Sequence, residues 1–189
     1  MNTSRRGLFA VAMASVALLG LSPSGVSAQS SAGGPILLTV TGAVSKPNRG
    51  GYDPDTDKFF GYNEVEFEKA AQFDFDALAA LSMQKVRADF PKGRQVHEYE
   101  GPLLADVLKA AGANGDKVTV QALDGYAVEV SLQDMIDQGA VVALKRNGEM
   151  FGIGDFGPTQ IVFPRADRAD LSEMPDDTWI WSIFHINVE

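Results

Sequence analysis

The sequence predicts a single α+β domain, and three observations predict it. β-Branched runs stand near both ends, two hairpin signals lie between them, and short amphipathic stretches are inserted among these. Ile36 to Val44 reads as a first strand, and residues 45 to 66 as a long acidic, Gly-rich connection. Asp74 is placed to cap a helix whose apolar positions Phe75, Leu78, Ala79 and Leu81 keep helical spacing. A clearer helix follows, with Pro102 at a first-turn position, a stripe of Leu103, Leu104, Val107, Leu108 and Ala111, and Gly112 as its stop.

The hairpin registers follow from the apolar pattern. In Val118 to Ala122 and Tyr126 to Val130 the apolar residues are even-numbered. A two-residue turn at Asp124-Gly125 would set Val120 opposite Glu129 and mix the faces. A three-residue loop, Leu123-Asp124-Gly125, sets Val120 opposite Val128 and Ala122 opposite Tyr126, with Gly125 left-handed at its third position. Asn147-Gly148 signals a two-residue turn that pairs Arg146 with Glu149, Leu144 with Phe151 and Val142 with Ile153. Between the hairpins, Ser131-Leu132-Gln133-Asp134 opens a short helix that Gly139 stops. Gln160 to Phe163 and Trp179 to Val188 read as closing strands, separated by a polar loop over 165 to 178.

The first thirty residues predict export. Arg5 and Arg6 precede an uncharged apolar run, Gly7 to Leu21, then Ser22-Pro23-Ser24-Gly25 and small residues ending at Ala28. Residues 1–28 are therefore read as a signal peptide, 29–35 as a flexible leader and 36–189 as the domain. Ser4 to Phe9 also resembles a twin-arginine export signal, which places the domain in the periplasm. A retained anchor is the weaker reading, because the run is short of the roughly 20 residues a spanning helix needs.

Composition excludes several classes of function. Removing the two Arg of the signal takes the formal charge from −9 to −11, so nucleic acid is not an expected partner. There is no Cys, which rules out thiolate catalysis and Cys-ligated metal, and His97 and His185 are the only histidines. Asp53, Asp55, Asp57 and Glu64 have the spacing of a calcium loop, but Lys58 stands where Gly is required; a solvated acidic loop is the better reading, and no metal is expected.

Three places carry candidate ligand chemistry. On the last strand, Trp179, Trp181, Ile183 and His185 alternate with Ile180, Phe184, Ile186 and Val188, so both indoles are expected on one face. They serve there either as a stacking wall for a flat ligand or as a surface covered by the domain itself. Gly152 to Pro158 surrounds Asp155 and Phe156 with three Gly and a Pro. That composition suits a tight loop aiming a carboxylate at a guanidine-like edge, or a plain structural turn. Arg87, Arg94, His97 and Tyr99 form a basic, aromatic cluster that fits an anionic or hydroxylated group, or a solvated strand edge.

With these residues in view, the chain from about Leu38 onward resembles the molybdopterin-binding domain of the sulfite oxidase family. The carriers are Thr41-Gly42-Ala43-Val44, Tyr99-Glu100-Gly101-Pro102-Leu103-Leu104 and Ala122 through Val130. Gly157-Pro158 through Pro164, and Trp179-Ile180-Trp181 through Val188, complete the order. The family's molybdenum-ligating Cys is missing, so the resemblance is to the small periplasmic members that bind free reduced pterins. It implies a mixed α/β fold, no molybdenum, no catalysis, and a neopterin- or monapterin-like ligand. It further implies a sensor subunit acting on the periplasmic part of a membrane signalling enzyme, such as a cyclic-di-GMP enzyme. On that resemblance Trp179, Trp181 and Phe156 would stack on the pterin and Asp155 would take its amidine edge. Arg94 or Tyr99 would meet its carbonyl or hydroxyls, and Tyr126 completes the ligand set. Thr159-Gln160 departs from the aromatic residue those members carry there. The alternatives are a molybdenum-dependent oxidoreductase subunit with non-Cys ligands, and an interaction module whose pocket its own side chains fill.

Gly125 tests the register directly. Gly125→Val forces a β-branched residue into the left-handed region, and a loss of about 1–3 kcal/mol is expected in urea unfolding.

Overall fold

β-Branched and alternating segments form eleven strands among the described residues, 33–189, of the computed structural model. They are β1 (Ile36–Gly42), β2 (Ala71–Asp74), β3 (Met83–Ala88), β4 (His97–Pro102), β5 (Lys117–Ala122) and β6 (Ala127–Ser131), followed by β7 (Val141–Ala143), β8 (Lys145–Arg146), β9 (Glu149–Met150), β10 (Gln160–Val162) and β11 (Ile183–Val188). The helices are short: α1 (Lys58–Tyr62), α2 (Phe75–Ala79), α3 (Leu104–Ala111) and α4 (Leu132–Asp137). This is the mixed α/β domain expected, with sheets dominating. The segment read as a signal peptide lies outside the described residues, and no described helix is long and apolar enough to cross a membrane.

The main sheet has the order β2-β1-β11-β5-β6. β11 runs parallel to β1, with Thr39 opposite His185, and antiparallel to β5, with Ile186 opposite Val120. A second sheet, β3-β4-β8-β9, and a two-stranded ladder of β7 with β10 complete the core. β4 passes so close to β7 that a Cβ on Gly101 would stand 1.9 Å from the Val142 carbonyl oxygen. Helix α3 buries Leu104, Val107, Leu108 and Ala111 and ends at left-handed Gly112, as its stripe predicts. Each such buried Leu or Val contributes roughly 1.5–3 kcal/mol. The caps are also as read: Asp74 accepts from the Ala77 N–H at 2.8 Å and Ser131 from the Asp134 N–H at 3.2 Å.

The first hairpin has the three-residue loop. Val120 faces Val128, the Ala122 N–H donates to the Tyr126 carbonyl, and Gly125 has φ +88°. In the second, Arg146 faces Glu149 and the Phe151 N–H donates to Leu144. The expected Val142–Ile153 pair does not form. Val142 is paired with Ile161 on β10, while Ile153 turns out on the 152–157 loop and is 83% exposed. Pro102 ends β4 rather than opening α3. Within the 45–66 connection the acidic loop is closed on itself. Arg49 donates to the Asp57 carboxylate, which also takes the Asp53 N–H, while Asp53 accepts from the Asp55 N–H and Thr56. The loop leads into α1, whose Phe59 and Phe60 rings meet Phe184, and Phe60 also meets His185.

The last strand differs from its reading as one continuous alternation. Regular pairing begins only at Ile183, because Ser182 takes φ +53° and interrupts it. β11 lies between β1 and β5, so both of its edges are paired, and Ile183, Phe184, His185 and Ile186 are all buried, so both of its faces are covered. His185 lies at this centre. Its Nε2 shares a 2.7 Å hydrogen bond with Thr41 Oγ1, and its Nδ1 lies 3.3 Å from Gln121 Oε1. Burial lowers the ring to about pH 4 for half-protonation.

The folded protein therefore holds His185 neutral where the unfolded chain would protonate it. Its contribution is complete above about pH 6.5 and is lost as pH falls toward 4, by up to about 3 kcal/mol. Urea unfolding between pH 7.5 and 4.5 should show this fall, and His185→Gln should flatten the curve over that interval.

Candidate functional site

A cleft of about 360 Å³ opens where three irregular segments meet: the turn after β3, the β5–β6 hairpin loop, and the approach to β11. Phe90 and Pro91 come from the first, Asp124 and Tyr126 from the second, and Asp176, Asp177, Trp179 and Trp181 from the third. The approach to β11 is irregular yet firmly pinned. The Ile161 N–H donates to Ile180, the Leu123 N–H to Ser182, and the Ser182 N–H to Phe156. These bonds carry Trp181 to the surface, 40% exposed, and turn Trp179 inward at 1%. The expectation of two indoles on one strand face is therefore corrected. They lie off the strand and differ in burial, yet both line the same cleft.

The cleft wall is an aromatic stack on a buried cation. Trp179 and Phe90 are nearly parallel, 8° apart, with centroids separated by 5.6 Å. The Arg165 guanidinium lies 4.3 Å from the Trp179 ring centroid. Arg165 is buried, with Nε 2.6 Å from Asp89 and Nη1 2.7 Å from Asp176, and it donates further to the Asp89 and Met174 carbonyls. Burial by itself would raise the Asp89 carboxyl, but the Gly93 N–H and Arg165 outweigh it and hold it below its usual range. Trp179 Nε1 is buried with no hydrogen-bond partner.

Of the residues singled out from sequence, Trp179, Trp181 and Tyr126 meet in the cleft. Phe156 backs it, with its ring 5.5 Å from Phe90 and 6.2 Å from Trp181. Asp155 does not line the cleft. It accepts from Arg146 at 3.1 Å, and that guanidinium lies 5.1 Å from the Phe156 ring. Tyr99 is fully buried behind Phe151, with its hydroxyl unpartnered and its ionisation pushed up by desolvation. Arg94 stands exposed on the turn whose Pro91 lines the cleft. Of that basic cluster, Arg87 pairs with Asp167 at 2.8 Å, away from the cleft.

Sequence reasoning missed Phe90, Asp124, Asp176, Asp177 and Arg165. Arg165 follows Phe163-Pro164 in what reads as a polar loop, and nothing local marks it as buried. Asp124 reads from sequence as a turn residue, and its carboxylate does accept the Tyr126 N–H at 3.0 Å.

The chemistry of this arrangement is specific. Indole and phenol rings flank a concave, largely apolar space. Of the three carboxylates at its edge, only Asp176 is neutralised by a cation among the described residues. Among the described residues no Lys, Arg or His lines it. Such a site suits a flat ring with hydrogen-bond donors at one edge.

No family model matches the sequence, and no curated protein matches it. Among solved structures the fold is similar to a chain of the sulfane dehydrogenase SoxCD from Paracoccus pantotrophus. The TM-score is 0.55 at 15% identity, over 80% of this chain and 37% of that one. At that identity the likeness is one of fold. The chain spans little more than a third of the length of the chain it matches.

Arg165 should be the costly residue to lose. Arg165→Ala strands Asp89 and Asp176 and empties the space beside Trp179, so urea unfolding should register a loss of about 3–5 kcal/mol.

Proposed function

We infer that this protein binds a reduced pterin in the Trp181–Tyr126 cleft and serves as the ligand-sensing subunit of a periplasmic signalling system. One observation carries the reading: a concave aromatic cleft edged by carboxylates, without any lining cation. A pterin is flat, so one face can stack on Trp181 or Tyr126. Its amino-pyrimidine edge presents N–H donors that match Asp124 and Asp177 better than Asp155, which Arg146 already holds. Trp179 and Phe90, nearly parallel, give the cleft a second aromatic wall. The fold likeness to a sulfane dehydrogenase is consistent with this reading, as is the exported N-terminus read from sequence.

A molybdenum-loaded pterin fits the cleft poorly. The lining residues offer neither the thiolate of the family's enzymes nor a cation for the cofactor's phosphate. We therefore route no redox step through this site and propose binding rather than turnover.

A second reading has its own support. An apolar groove of about 280 Å³ lies beside Ile36, Phe59, Ile153, Pro158 and Phe184, with Phe59 45% and Ile153 83% exposed. It shares the 122–126 segment with the cleft, and its 153–158 loop carries Phe156, which packs on Phe90 and Trp181. This juxtaposition would let a bound ligand bias a protein partner, and it would also serve an interaction module that binds no ligand.

Thermal unfolding decides between the two. A pterin bound only by the folded protein, at 100 times its dissociation constant, adds about 2.7 kcal/mol, which is several degrees for a domain of this size. Tetrahydromonapterin or neopterin under reducing conditions should give that shift and a purine control should not. No shift with any pterin would leave the interaction module as the function.

A further inference from the structure

We propose that this cleft selects its ligand by charge. Flat heteroaromatic rings that are neutral or cationic enter, and the same rings bearing a phosphate or another anionic group are rejected, with Asp124 and Asp177 as the specificity-determining residues. The inference rests on the preceding reading only in taking this cleft as the place where a flat heterocycle binds.

Three observations carry it. First, the carboxylates at the edge are not equivalent. Asp176 is bonded to Arg165 at 2.7 Å and also accepts the Lys92 N–H, so its charge is compensated. Asp124 and Asp177 are exposed and form no ion pair among the described residues, so they present uncompensated negative charge to the opening. Second, the cation beneath the cleft cannot serve an anion. Four hydrogen bonds commit Arg165 to Asp89, Met174 and Asp176, and it is only 4% exposed behind Trp179. Of the neighbouring turn's cations, Lys92 is paired with Glu173 at 3.0 Å, and Arg94 does not line the cleft. Third, the wall is a fixed aromatic surface suited to a flat ring, with Trp179 nearly parallel to Phe90. Trp179 is 1% exposed and lines the cleft, yet its Nε1–H has no partner. A heterocycle stacked along this wall leaves a peripheral phosphate among the carboxylates.

The selectivity has a predictable size and salt dependence. At an effective dielectric near 20, an anionic group about 12 Å from each free carboxylate loses about tenfold in affinity per carboxylate at low salt, and a closer one loses more. Screening at high ionic strength narrows this difference.

Two ligand pairs test it, read by quenching of tryptophan fluorescence in the full-length protein. One pair is neopterin and its monophosphate ester. The other is proflavine, a flat cation, and anthracene-9-carboxylate, a flat anion. The wild-type protein should bind neopterin and proflavine saturably, and the anionic member of each pair at least about tenfold more weakly. In Asp124→Asn/Asp177→Asn both gaps should shrink by about tenfold or more, and proflavine should weaken. Asp177→Asn alone, at an exposed side chain, supplies the same comparison should the double variant fail to fold. Equal binding within both pairs, or gaps unchanged in the variants, would overturn the charge rule. So would phosphate-ester binding that Arg94→Gln abolishes, since Arg94 would then be reading the anion. Proflavine binding that obeys the rule while no pterin binds would sink the pterin reading and leave the charge rule standing. Absence of binding by all four probes would remove both.

Discussion

Arg165 is where the fold and the candidate site meet. A buried guanidinium is unfavourable unless its hydrogen bonds are met and its charge is balanced. Here Asp89 after β3 and Asp176 before β11 do both, with two backbone carbonyls taking further N–H groups. These bonds tie together two segments 87 residues apart in number, neither of which has regular secondary structure at that point. The flat face of the cation then supports the Trp179 ring, which lies nearly parallel to Phe90, and these two rings form one wall of the cleft. The cleft's shape thus depends on an ion cluster whose cation lies behind its wall.

The main sheet supplies the opposite constraint. β11 is covered on both faces and paired on both edges, so its start cannot drift. Ser182, left-handed just before it, redirects the chain. Backbone bonds from Leu123 to Ser182 and from Ser182 to Phe156 then fasten the hairpin loop and the 152–157 loop to the same point. Trp181 is exposed because these bonds hold it there against the hydrophobic tendency to bury an indole. An exposed aromatic fixed by its backbone, beside a buried one with an unmet N–H, is the pattern expected of a binding wall. The shared fold with a chain of sulfane dehydrogenase, at low identity, leaves such loops free to differ.

Local signals were legible in the sequence and tertiary ones were not. The caps at Asp74 and Ser131, the α3 stripe with its Gly112 stop, and the Gly125 loop register are each encoded within a few residues. The structure shows them as read. The Val142–Ile153 pair failed because β7 found a non-local partner in β10, and hairpin chemistry carries no information about that competitor. The two Trp were read as one face because alternation was extended back through Ser182, a residue whose positive φ has no sequence signature. Asp155 looked like the ligand carboxylate from its Gly-rich surroundings. The 146–155 ion pair that engages it depends on how the loop after β9 folds back toward β8, and the Arg165 cluster joins segments distant in sequence.

The central claim is that one cleft walled by both indoles holds the ligand. With two Trp in the chain, a proton–nitrogen correlation spectrum contains two indole Nε1–H signals to follow. Titration with reduced neopterin should move both signals along one saturable curve. Two indole signals that stay fixed while the protein demonstrably binds the pterin would place the ligand elsewhere and contradict the account.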